Sequence, residues 1–117
     1  MINIISSSRY KVNKPKLLAK VYSILKTTGV IETSVLNIVF VGKIKMKQVA
    51  LSYKHEAVAL PVLAFPYKEK GPVQDDVFGE IFICYPQAVL LAAERGKKVD
   101  DTIANLVEHG IQNILRN

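Results

Sequence analysis

Cysteine is nearly missing from this chain: its 117 residues include one, Cys84. A single thiol excludes an internal disulfide and a cysteine-based metal cluster. Cys84 stands in an apolar run, which predicts a buried, inert thiol rather than a nucleophile. Long apolar runs are missing too, and none approaches the ~20 residues of a membrane span. The opening stretch MINIISSSRYKVNKPK puts its apolar patch before its charges, the reverse of a secretory signal. The expectation is a soluble, cytoplasmic protein with no membrane contact. There is no glycine-rich phosphate loop, no G-x-S-x-G, no internal repeat and no set of four metal ligands.

Acidic residues are scarce in the first half. Residues 1–54 carry ten basic side chains against one acid, Glu32, for a charge of +9, while the rest of the chain carries −3. That asymmetry predicts a polyanion-facing surface built by the N-terminal half, with nucleic acid as the partner class. The plain alternative is a lysine-rich exterior that only solubilises. Half the residues are hydrophobic and 22% are charged. That balance, at this length, suits one globular domain over residues 1–117 with a core of its own.

Hydropathy patterning gives the order of elements. Ile2 to Ser6 reads as a short strand and turn. Asn13 and Pro15 start a helix whose apolar positions Leu17, Leu18, Val21, Tyr22 and Leu25 keep the helical period, and Gly29 stops it. Val35 to Val41 is almost continuously apolar and β-branched, as in a strand covered on both faces. Asn37 interrupts it. From Lys43 to Lys54 the front alternates like a strand, but a helix of about ten residues is the simpler reading. Pro61 keeps the next segment out of a sheet centre, so Val62 to Phe65 is expected as a short strand near an edge. Tyr67 to Asp76 reads as a polar loop with a Gly71-Pro72 turn. Gly79 to Cys84 is a strand, Gln87 to Arg95 a helix ended by Gly96, and Asp100 or Asp101 caps a final helix. The expected fold is a mixed α/β domain (α+β), with a sheet of about four strands, about four helices and one hairpin-like β-β step.

Three residues carry the candidate chemistry. On the final helix, Ile103, Leu106, Val107, Gly110, Ile111 and Ile114 share an apolar face, and Thr102, His109 and Asn113 form a strip beside it. His109 and Asn113 are four apart and so are neighbours. Two histidines at that spacing would form half a zinc site; with Asn113 in second place, His109 reads either as a ligand or as a hydrogen-bonded border residue. The other histidine, His55, falls in a charged helix exit and reads as exposed. Glu80 is a carboxylate in an otherwise apolar strand, sharing a face with Phe82 and Cys84. It is either an edge charge that discourages association or a working group.

Taken in order, four segments resemble the YbeY family of bacterial rRNA-maturation metalloendoribonucleases. Asn37–Gly42 (NIVFVG) is similar to the family's strand before its first short helix. Tyr53-Lys54 stands thirteen residues before Pro66, and Val62–Pro66 (VLAFP) closes the segment, as in the family's Y-R-G-K-D-x-P-T-D-V-L-S-F-P. Gly79-Glu80-Ile81 resembles its G-D/E-I strand. Leu106–Gly110 (LVEHG) resembles the start of its H-G-x-L-H-L-x-G-x-D-H signature. The resemblance runs from Leu36 to Ile114.

It implies a YbeY-like fold and a metal-dependent, single-strand-specific endoribonuclease acting in rRNA maturation and small ribosomal subunit quality control, with rRNA and that subunit as partners and zinc as cofactor. In that reading His109 takes the first metal position, and Asn113 stands where the second histidine belongs. No residue of the sequence stands at the third. Lys54 replaces the family's arginine and, with Glu80, is the catalytic candidate. Lys43, Lys45, Lys47 and Lys54 are the nucleic-acid-binding candidates. Leu60-Pro61 replaces Thr-Asp, and Thr102 stands where a helix glutamate is usual. A non-catalytic RNA- or ribosome-binding module that keeps the fold without the metal site is the alternative, and a partner-binding protein with no RNA role is a third.

Overall fold

A computed structural model describes residues 1–29, 35–66 and 77–116. The elements run β1 (Ile2–Ile5), α1 (Lys14–Thr28), β2 (Val35–Val41), α2 (Lys43–Lys54), β3 (Val62–Pro66), β4 (Val77–Cys84), α3 (Tyr85–Arg95) and α4 (Val99–Arg116). This is the β-α-β-α-β-β-α-α order that the hydropathy pattern predicts. The expected Tyr67–Asp76 loop, with its Gly71-Pro72 turn, lies outside the described residues.

The four strands form one sheet in the order β1-β2-β4-β3. β1, β2 and β4 run parallel, and β3 pairs antiparallel with β4. β3 thus takes an edge, as Pro61 requires of the strand that follows it. The Pro61 carbonyl accepts from the Cys84 N–H at 3.0 Å, so the proline supplies an acceptor where it lacks a donor. One irregularity marks β4: Val35 pairs with Val77 but Leu36 with Gly79, which leaves an extra residue in β4.

Helices cover both faces, which explains the near-continuous apolar run of β2. On one face Leu36, Ile38, Phe40, Ile81 and Ile83 pack with Leu17 and Val21 of α1, Ala88 of α3, and Ile103, Leu106, Val107, Ile111 and Ile114 of α4. On the other, Val41, Leu63 and Cys84 pack with Met46, Val49 and Ala50 of α2, joined by the half-buried Val39, Phe65 and Phe82.

Local chemistry sets the helix ends. The Asn13 side chain accepts from the Lys16 N–H at 3.1 Å and caps α1. Gly29 ends that helix in the left-handed region, with φ 74°. At the start of α4 the Lys98 carbonyl already accepts from the Thr102 N–H at 3.1 Å. Asp100 and Asp101 therefore lie in the first turn, against the positive end of the helix dipole, and not at the cap position expected for one of them. Among the described residues no helix is long and apolar enough to cross a membrane.

Candidate functional site

Two close approaches seat α4 on the sheet. A β-carbon at Gly110 would stand 2.9 Å from Ile81 Cδ1, and one at Gly79 would stand 2.6 Å from Ile114 Cδ1. The helix therefore rests on β4 through Gly110 and Ile114. Thr102 is 1% exposed, and its hydroxyl donates to the Lys98 carbonyl at 3.1 Å. Farther along the same strip His109 and Asn113 are exposed. The strip thus begins in the core and ends in solvent.

The opposite flank of α4 looks toward α1. There Asp100, Asp101, Ala104 and Asn105 line a groove of about 560 Å³ with Lys16, Lys20 and Ala19. Lys16 Nζ stands 3.9 Å from Asp100 Oδ2 and 4.0 Å from Asp101 Oδ1, a solvated cluster that contributes little to stability. On the helical wheel Ala104 falls about 140–180° from His109 and Asn113, but Asn105, four residues before His109, falls only about 40° from it. The groove and the histidine strip therefore adjoin at Asn105.

Glu80 lies elsewhere. It pairs with Asn37 on one side and Phe65 on the other, and Asn37 pairs with Asn3. Paired residues in a sheet share a face, so Asn3, Asn37, Glu80 and Phe65 form a row across it. Asn3 Nδ2 donates to Asn37 Oδ1 at 2.9 Å. Phe65 belongs to the cluster under α2, which places the row on the α2 face. Gly79 and Ile81, on either side of Glu80, meet α4 on the other face. Period-2 alternation accordingly puts β4 between Glu80 and His109.

The lysine candidates sit on α2. Lys43, Lys45, Lys47 and Lys54 are all exposed, while Met46, Val49 and Ala50 are buried. Lys43, Lys47 and Lys54 fall within about 40° of one another around the helix, and Lys45 falls on the opposite flank. The helix ends at Lys54, and the next residue, His55, takes the left-handed conformation (φ 59°) with its N–H on the Leu51 carbonyl at 3.2 Å. His55 is exposed, as its charged surroundings predict. The structure thus carries Lys54 and Glu80 on one side of the sheet and His109 on the other.

One contact on the α2 face was not foreseen from the sequence. The Tyr53 ring lies 4.2 Å from that of Phe65, and Phe65 meets Phe82 edge-on at 5.7 Å. Alternation of Phe82 with Ile81 and Ile83 was a visible signal, but the meeting of three elements was not.

The donor set bears directly on a metal. Among the described residues no three histidine, cysteine, aspartate or glutamate side chains are close enough to hold an ion together. A catalytic zinc takes about three protein ligands and a water. The strip supplies one imidazole, His109, and one amide, Asn113, which does not make a zinc site. By that count a zinc site at this strip needs ligands from outside the described residues.

Comparison with known proteins gives the family. The family model described as Endoribonuclease YbeY matches residues 3–115. The Endoribonuclease YbeY of Phytoplasma australiense is 31% identical over 112 residues, covering 93% of this chain and 74% of that one. That of Dehalococcoides mccartyi (strain CBDB1) is 31% identical over a 129-residue alignment, covering 97% of this chain and 78% of the other. The solution structure of TM1509 from Thermotoga maritima is similar with a TM-score of 0.67 and 26% identity, over 95% of this chain and 69% of that chain. The chain belongs to the YbeY endoribonuclease family.

Proposed function

We propose that this chain acts on single-stranded RNA as an endoribonuclease in ribosomal RNA maturation, working in the cytoplasm with the small ribosomal subunit. The observation that carries the reading is the family match over residues 3–115, a span that includes the His109 strip, the Glu80 strand and the α2 lysines. The charge distribution supports it independently, since a +9 half-chain is what a phosphate backbone attracts.

In this reading the lysines of α2 hold the RNA through its phosphates. Lysine is a compact point charge without the planar fork of the arginine that Lys54 replaces, so it attracts phosphate without fixing its orientation. Glu80 and the asparagine row line the same side of the sheet. In this reading His109, an exposed imidazole on the far side of β4, marks the reaction centre. The residues present do not by themselves supply the zinc that the family resemblance implies, so no step is assigned to it.

The test is incubation of the chain with a labelled single-stranded ribosomal RNA fragment, with and without added zinc and chelator. Internal cleavage that His109→Ala abolishes supports the proposal. Salt-dependent binding without cleavage under any of these conditions would instead define a binding module.

A further inference from the structure

The α2 face holds an aromatic arrangement that the lysines do not explain. Phe65 and Phe82 are half-buried, but Tyr53, whose ring meets Phe65 at 4.2 Å, is 61% exposed. Its ring rests against Phe65, and most of the residue remains open to water. A ring held in this way loses little freedom when a second flat group stacks on it, and its open surface is costly to leave hydrated.

Its surroundings define the partner. Lys54 follows Tyr53 directly. Lys43, Lys47 and Lys54 form a row along one flank of α2 that spans about 16 Å at 1.5 Å per residue, enough for several phosphates of an extended strand. Next to Phe65 in the sheet come Glu80 and Asn37, and Asn37 accepts from Asn3. Hydrogen-bonding side chains beside an open aromatic ring and a line of cations are what a nucleobase and its backbone meet in single-strand recognition.

We propose that Tyr53 is a base-stacking residue for single-stranded RNA, with Phe65 supporting its ring and Lys43, Lys47 and Lys54 following the phosphates. The inference rests on the RNA reading above and adds a binding position on the face of the sheet opposite His109. A bound strand would pass from this platform across the β3 edge toward α4.

The test compares binding of two short fluorescein-labelled single strands by anisotropy, one an ordinary oligoribonucleotide and one of equal length with abasic positions. Tyr53→Ala should weaken binding of the ordinary strand about tenfold, in the range of one lost base–aromatic stack. It should leave the abasic strand within about twofold, and Tyr53→Phe should bind like the parent. A second variant covers the case in which Tyr53→Ala fails to fold: Tyr53→Trp introduces the chain's one tryptophan, whose fluorescence stacking should quench on RNA addition. Equal effects of Tyr53→Ala on both strands, or an unquenched Tyr53→Trp in saturating RNA, would overturn the stacking assignment alone. Failure of the parent chain to bind either strand at low salt would overturn the RNA reading itself.

Discussion

Gly79 of β4 lies directly beneath Ile114 of α4: a β-carbon there would stand 2.6 Å from Ile114 Cδ1 and 2.9 Å from the Phe65 carbonyl oxygen. The second contact is backbone, in a paired strand, and cannot swing aside. Gly79→Ala should therefore destabilise the fold by about 1–3 kcal/mol through overpacking. Urea denaturation checks it. Ile114→Ala, a core truncation, should itself cost about 2–5 kcal/mol, and the double variant should lose less than the sum of the two, because the substitutions share one contact and are not additive.

The start of α1 gives a milder prediction. Asn13 accepts from the Lys16 N–H at 3.1 Å. Asn13→Ala leaves that donor to water and should cost about 0.5–2 kcal/mol, with Asn13→Asp nearly neutral. Thermal unfolding of the three proteins, read by circular dichroism, makes the comparison.

Alkaline pH should expose the buried thiol. Burial pushes Cys84 above its ordinary range, against smaller opposing effects of the Gln87 backbone and the Lys43 charge. The unfolded chain thus releases this proton at lower pH than the folded one. Between the two pKa values the native state holds more protons, so stability falls as pH rises through that window. Cys84→Ala should lower stability at neutral pH by leaving a cavity, yet decline less steeply above about pH 8.5. Denaturation midpoints from pH 7 to pH 10 test this, and thiol reagents should label the parent only as it unfolds.

Salt dependence should separate the lysines. Each phosphate contact of a single strand contributes about 0.7 to the slope of log affinity against log salt. Replacing Lys43, Lys47 and Lys54 together by glutamine should lower that slope by about 2. Lys45→Gln should change it less, since Lys45 lies on the other flank of α2. RNA titrations over a range of salt concentrations read both effects.

Much of the fold was legible because its signals are local. Asn13 and Pro15 open α1, Gly29 closes it, and Pro61 sends β3 to an edge. The ends that moved did so by one or two residues: α3 begins at Tyr85, with Pro86 in its first turn, and α4 begins before Asp100 because Lys98 accepts its first turn's N–H. The site was legible only in pieces. Periodicity grouped Thr102, His109 and Asn113, but their exposure depends on where α4 overhangs the sheet. Alternation gave Glu80 its face, yet nothing local says which helix covers that face. The contact of Tyr53 with Phe65 joins α2 to β3 and has no signature in either segment alone.

The most direct measurement is sequencing of the product ends after the chain, supplied with zinc, is incubated with a single-stranded ribosomal RNA fragment. The account predicts internal cuts in the single-stranded RNA that disappear with His109→Ala and weaken as salt is raised. Uncut RNA, or cuts that persist unchanged in His109→Ala, would contradict it.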